Sequence, residues 1–189
     1  KNGTKISVSL GQRELEVLDD LVAELDLSSR SEGMREAILA LRRQSLAKAY
    51  DECFSIQIGK RKRHYGTPWL GTVSTMLRGE IRLIDFEPAV GHEPNKTRPA
   101  VIVSNDTANQ RAAIHGGLVT VVPLTSNVSR IYTFQTFVRS SEAGLRMDSK
   151  SQPELMRSVS VLRLGKRIGK LTPPQLSELD NALRLHLDL

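Results

Sequence analysis

The sequence predicts an α+β protein in two modules. A strand and two helices fill residues 1–55, and a small curled antiparallel sheet closed by a terminal helix fills residues 76–189. Three observations carry this. Lys5–Leu10 alternates polar and apolar residues, and two stretches of helical period follow it. From Met76 onward, short apolar runs recur between turn residues and end in one amphipathic helix. The charge also changes along the chain. Residues 1–55 hold 8 Lys/Arg against 10 Asp/Glu, residues 76–189 hold 15 against 11, and residues 56–75 hold Lys60, Arg61, Lys62 and Arg63 with no acid. Gly59, Gly66, Pro68 and Gly71 interrupt that basic stretch, so it reads as a linker.

In the first module Ile6, Val8 and Leu10 share one face of the strand, and Lys5, Ser7 and Ser9 the other. Gly11 ends it. Leu15, Leu18, Leu21, Val22 and Leu25 line one face of a helix over 12–25. After a turn at 26–30, Ser31 is expected to cap a second helix with Glu32 in its first turn. Met34, Ala37, Ile38 and Leu41 then recur at helical spacing as far as about Ala49. A lone strand leaves its backbone donors and acceptors unpaired, so the economical arrangement is a dimer whose strands pair antiparallel.

In the second module Ile81–Phe86, Pro99–Val103 and Gly117–Leu124 read as strands, with a short polar helix near Asp106–Arg111. Phe134–Val138 and Gln152–Val159 are expected as further strands, and Arg167–Leu171 as the one that closes the sheet. Thr172 followed by Pro173 is a helix start. Leu176, Leu179, Ala182, Leu183 and Leu187 lie on one face of the helix that follows.

Composition excludes other classes. The chain has 189 residues, a net charge of +6 and 39% apolar residues, a profile that does not suit a wholly disordered chain. No apolar run reaches the length of a membrane span. No secretory leader is expected, and the cytoplasm is the simplest compartment. Cys53 is the only cysteine, which removes an internal disulfide framework and a cysteine-built zinc site. His92 and His115 have no ligand-like spacing with acidic residues, so neither a metal nor another cofactor is expected.

The Lys5–Leu10 alternation and the Ser29-Arg30-Ser31-Glu32 turn into a second helix resemble the ribbon-helix-helix DNA-binding proteins over residues 4–49. The resemblance implies a dimer whose two-stranded ribbon enters the major groove of operator DNA. Lys5, Ser7 and Ser9 would read base edges there, and the helix start at Ser31 would hold a phosphate. The bland alternative is an edge strand with a polar face and no DNA.

Five stretches of the second module resemble the MazF/PemK/Kid toxins, in the expected order. They are Arg78-Gly79-Glu80-Ile81, Gly91-His92-Glu93 with Arg98-Pro99-Ala100-Val101, Ser104-Asn105-Asp106, Val122-Pro123-Leu124-Thr125-Ser126, and Glu154-Leu155-Met156-Arg157-Ser158-Val159. The resemblance implies an SH3-like barrel, a homodimer, and metal-free cleavage of single-stranded RNA to a 2′,3′-cyclic phosphate and a 5′-OH. Arg98 and Thr125 match the family's catalytic arginine and threonine, and His92 and Glu93 stand beside them on the loop. Glu154, Asn105 and Ser126 are implied as RNA contacts. Leu155 replaces the family's usual Gln and Pro94 stands where Gln is common, which bears on base preference more than on chemistry.

Ribbon-helix-helix proteins often serve as antitoxins to such toxins, and their acidic, aromatic tails fill the RNA groove. Here Tyr50, Asp51, Glu52 and Phe54 give way at once to Lys60–Arg63, so the tail is cut short. A separate antitoxin or toxin chain is a further expected partner. Two functions remain open from sequence: an RNA endonuclease with an attached operator-binding module, or a repressor whose toxin part is inactive and only mediates association.

Overall fold

The computed structural model describes residues 7–60, 76–91 and 93–189. The chain divides into two compact units, residues 1–48 and 49–189.

The first unit is a helical hairpin. Helix α1 (Gln12–Glu24) follows Gly11 and carries Glu14 in its first turn, a favourable place for an acid. Asp26 takes a left-handed backbone (φ 51°) and turns the chain. Helix α2 (Arg30–Lys60) then begins. The expected cap at Ser31 is corrected. Ser29 is the capping residue, its hydroxyl accepting the Glu32 N–H at 3.3 Å, and Ser31 lies inside the first turn. Glu32 in turn accepts the N–H and the hydroxyl of Ser28, at 2.9 and 2.7 Å. The offset arises because Ser28, Ser29 and Ser31 are all competent caps, and the reach of Glu32 back to Ser28 selects among them.

Arg30 clasps Asp19 of α1 with two bonds, at 2.6 and 2.8 Å. The helices approach closest at Gly33, where an added Cβ would stand 2.7 Å from a methyl of Val22. The side-chain bond from Arg30 holds the Asp19 carboxyl below its ordinary value, and the Ser28 bonds do the same for Glu32. Both folded-state values are depressed, so these contributions are intact above the ordinary values of 3.8 and 4.5 and fade as pH falls below them. Taking the full chain from about pH 6 to about pH 3 should therefore speed amide exchange at Glu32 and Gly33. Unchanged exchange would remove these pairs as supports of the hairpin.

The expected strand is absent from the single chain among the described residues. Lys5 and Ile6 lie outside them, and Ser7–Leu10 form no ladder. A strand needs a neighbour to take up its N–H and C=O groups, and among the described residues this unit offers none. Helix α2 also runs past the expected end at Ala49 to Lys60. The first residues assigned to the basic linker are thus helical, and residues 61–75 lie outside the described residues.

The second unit is a curled antiparallel sheet with helices on both faces. Its strands are β1 (Glu80–Asp85), β2 (Thr97–Ile102), β3 (Leu118–Thr125), β4 (Phe137–Val138), β5 (Ser149–Ser151), β6 (Arg157–Ser160) and β7 (Leu164–Lys170). The order is β4-β5-β3-β2-β1-β7, with β6 also on β3. Strand β3 pairs with β6 along its first half and with β5 at its end, and this splits the outer edge and curls the sheet.

Alternation along the central strands supplies two cores. Ile84, Ala100, Ile102 and Val121 face one cluster, which also takes Ala112 of α3 (Asp106–His115). Ile81, Val101 and Val122 face the other, covered by Leu179 and Leu183 of α5 (Pro173–Leu187). Because both faces are buried, Val101–Val103 reads as an unbroken apolar run.

Helix α5 starts as expected, in a capping box between Thr172 and Gln175 with Pro at its first position. The Arg78-Gly79-Glu80 motif is explained by packing. The Arg78 guanidinium donates to Asp180 of α5 at 2.5 Å, the Arg78 backbone N–H donates to Asp106 at 2.6 Å, and Gly79 takes φ 83°.

Two strand expectations are corrected. Phe134–Val138 shrinks to β4, because residues before it turn on a bond from the Gln135 N–H to the Tyr132 carbonyl. The strand expected from Gln152 begins only at Arg157. Pro153 has no N–H for a ladder and opens a 3-10 turn over Pro153–Leu155. Strand β5 and the short α4 (Ser140–Ala143) carry no apolar period, so the sequence gives no sign of either.

The end of α2 belongs to this unit. Tyr50 packs on the first core cluster, and its oxygen accepts a bond from Asn105 at 3.1 Å. Asp51 meets His115 at 2.9 Å and Arg111 at 3.5 Å. Of the residues read as a truncated tail, Tyr50 and Asp51 therefore contact α3 and its cap. Tyr50→Ala is expected to destabilise the second unit by about 2 kcal/mol through poorer packing, with Tyr50→Phe recovering most of it. Chemical denaturation of the full chain measures both.

Candidate functional site: a cationic groove beside β2 and β3

The site forms where β2 begins and β3 ends. Pairs 100–123, 101–122 and 102–121 set the register, and continuing it brings Arg98 opposite Thr125. Both line one groove of about 750 Å³, together with Ser126. Directly opposite residues point to the same face of a sheet, so the two side chains can address one ligand atom.

The loop before β2 fixes Arg98. Its Nε donates to the Asn95 carbonyl at 2.7 Å, and its Nη2 to Asn95 Oδ1 at 2.6 Å. The loop is held in turn by the Lys96 N–H on Glu87 at 2.9 Å, with Lys96 itself in the left-handed region (φ 59°). Asn95 is thus a positioning residue that sequence reasoning missed; its only signal was its place three residues before a candidate arginine. Thr125 Oγ1 accepts the Asn127 N–H at 3.3 Å, which leaves the hydroxyl hydrogen to donate to a ligand oxygen.

The charged residues lining the groove are Arg98, Arg146, Lys166 and Arg167, all cations. Arg167 is backed by Glu80, whose carboxylate is 2% exposed and is shared with Arg82. This layout favours an anion, because among the described residues no lining carboxylate opposes it.

The other expected residues are distributed differently. Glu93 accepts a bond from Arg157 at 3.1 Å and from the Val90 N–H at 3.3 Å, and it is not among the residues lining the groove. Asn105 caps α3 by accepting the Ala108 N–H at 2.9 Å and donates to Tyr50, and it is not among the residues lining the groove. Glu154 accepts from Gln135 at 2.5 Å, and its second oxygen is buried without a partner among the described residues. His92 and Lys5 lie outside the described residues, and Ser7, Ser9 and Ser31 are exposed. Among the described residues, no cluster of three or more His, Cys, Asp and Glu side chains is placed to hold a metal ion, and no helix is long and apolar enough to cross a membrane.

A curled antiparallel sheet flanked by helices, with a groove lined by Arg98, Thr125 and further cations, defines a small α+β protein. The chain belongs to the PemK-like, MazF-like toxins of type II toxin-antitoxin systems, whose family model matches residues 77–187. It is 49% identical over 115 residues to endoribonuclease MazF9 of Mycobacterium tuberculosis, covering 60% of this chain and 98% of that protein. It is 54% identical over 57 residues to the probable endoribonuclease MazF1 of the same organism, covering 30% of this chain and 61% of that one. The crystal structure of MazF from Deinococcus radiodurans shares the fold, with a TM-score of 0.52 at 23% identity over 61% of this chain and 98% of that one.

Proposed function

We propose that the chain is an endoribonuclease that cuts single-stranded RNA without a metal, leaving a 2′,3′-cyclic phosphate and a 5′-OH. The observation that carries this is that Arg98 and Thr125 line one groove whose charged lining residues, among the described residues, are all cations. The RNA 2′-oxygen attacks the adjacent phosphorus, forming a P–O bond as its proton passes to a base, and the bond to the 5′-oxygen breaks as that oxygen takes a proton from solvent to leave as the 5′-OH. Arg98 stabilises the charge on the phosphorane oxygens, and Thr125 donates to one of them. Ser126 adds a hydroxyl at the same end. The base is assigned to His92 on the loop before Arg98, because an imidazole exchanges protons near neutral pH. Glu93 anchors that loop through Arg157. Glu154, bonded by Gln135 through one oxygen only, is kept as an RNA contact rather than a chemical group.

Incubating the full chain with RNA in EDTA tests this. Cleavage with cyclic-phosphate ends supports it, and intact RNA overturns it. His92→Gln should lower the rate at neutral pH by about 10² or more.

The first unit is proposed as a dimerising operator-binding module. What supports it is its bare apolar surface: Val17 is 66% exposed, Ile38 59% and Leu41 65%. A second copy would cover these side chains and supply the partner strand for residues 5–10. Lys5, Ser7 and Ser9 then face the bases, and the N–H groups at Arg30 and Ser31 meet a phosphate. A mobility-shift assay with the DNA upstream of the chain's own coding sequence measures this. Binding that survives replacement of all three ribbon residues removes the assignment. Operator binding without RNA cleavage would select a repressor whose toxin part only associates. In the proposed assembly both units pair with a second copy, and a separate antitoxin chain is a further partner.

A further inference from the structure

The groove lining includes a wall that the cleavage chemistry does not use. It consists of Gly144–Met147, in the loop between α4 and β5, and Lys166–Ile168 of β7. The geometry points to this wall as the seat of one unstacked nucleotide beside the cleaved linkage. Its base rests on Leu145, Met147 and Ile168, and its phosphate is held by Arg146, Lys166 and Arg167. The inference deepens the endonuclease reading and rests on it.

The wall combines two chemistries. Met147 is 63% exposed on the lining of a groove whose charged residues are cations, and Leu145 and Ile168 belong to the same lining. A polarisable thioether between aliphatic side chains suits the face of a base, which any single-stranded segment can present. The three cations suit the backbone on either side of that base.

The wall is also preorganised. Gly144 adopts φ 74°, and an added Cβ there would stand 3.3 Å from the Ile168 carbonyl. Asp148 ties the loop back to the start of α4, accepting the Ser140 N–H at 2.8 Å and its hydroxyl at 2.7 Å, and these bonds lower its pKa. Buried Glu80 meets Arg167 Nε at 3.7 Å while also binding Arg82, so two guanidinium groups share one carboxylate and a net positive charge remains at the groove. An arginine held this way loses less side-chain freedom on meeting a phosphate than a free one. Glu80 is therefore a positioning residue for Arg167.

The test uses the full chain, a short RNA library 2′-O-methylated throughout so that it cannot react, and a reactive RNA of mixed sequence. Binding of the first is followed against salt, and cut sites are mapped on the second. The variants are Lys166→Ala with Arg167→Ala, and Met147→Ala, each with its melting temperature checked against the parent.

The double variant is expected to bind about tenfold more weakly and to flatten the salt slope by about 0.7 for each phosphate left unneutralised. Met147→Ala should keep the slope, bind up to about tenfold more weakly, and broaden the bases accepted beside the cut. Unchanged slope and unchanged base preference in a chain that still cuts RNA overturn the seat and leave the endonuclease reading intact. A parent chain that binds but never cuts, and whose slope falls in the double variant, sinks the endonuclease reading and keeps the seat. Tighter binding of poly-glutamate than of RNA, abolished in the same variants, assigns the wall to an acidic peptide and overturns the inference.

Discussion

Arg98→Ala is expected to lower RNA cleavage about 10³-fold while leaving the melting temperature of the second unit within about a degree of the parent. The guanidinium is only half-buried, and its bonds are to Asn95 in its own loop, so truncation opens no cavity in either core cluster. What disappears is charge at the phosphorane, where a preorganised donor counts for more than in water. Arg98→Lys should recover little. One ammonium cannot bond Asn95 at two atoms and also present a planar fork to phosphate. Asn95→Ala should fall between, at about tenfold, because it frees the guanidinium without removing it. Single-turnover cleavage with a circular-dichroism melt separates these outcomes. A rate unchanged in Arg98→Ala would detach the chemistry from this groove.

Gly169→Ala is expected to be the most damaging single methyl in the second unit, destabilising it by about 3 kcal/mol or more. An added Cβ would lie 1.9 Å from the Ala143 carbonyl oxygen. That neighbour is backbone, and Ala143 itself is 1% exposed within the second core cluster, so relief requires shifting α4 off β7. The same shift would carry away the loop bearing Arg146 and Met147. Stability and RNA affinity should therefore fall together, whereas in Arg98→Ala activity falls alone. Chemical denaturation and binding of the methylated RNA measure the pair. A variant as stable as the parent would show that the packing of α4 on β7 does not hold the groove wall.

Much of the second unit was legible because its strands are buried on both faces. β2 and β3 announce themselves as apolar runs and β1 as a mixed apolar strand, and Thr172-Pro173 marks a helix start that needs no tertiary help. β5 was not legible. Its Ser149, Lys150 and Ser151 are all buried, yet they are polar, so a pattern based on apolar residues passes over them. Lys150 is accommodated because its ammonium bonds the Arg130 carbonyl at 2.5 Å and lies 5.8 Å from the Tyr132 ring, a partnership set by distant residues. In the first unit the helices were readable and the cap was misplaced, since neighbouring serines compete on equal terms until Glu32 chooses.

The sequence by itself determined the two-part order of the chain, the central strands, the terminal helix and the arginine–threonine pair. These depend on local period and on motifs within a few residues. Only the tertiary structure decided which expected residues share the groove. It placed Arg98, Thr125 and Ser126 there, tied Glu93 to Arg157, spent Asn105 on a cap, and added Arg146, Lys166 and Arg167. The physical reason is that a groove is made where strands far apart in sequence end side by side, and sheet register rather than chain proximity chooses which side chains line it.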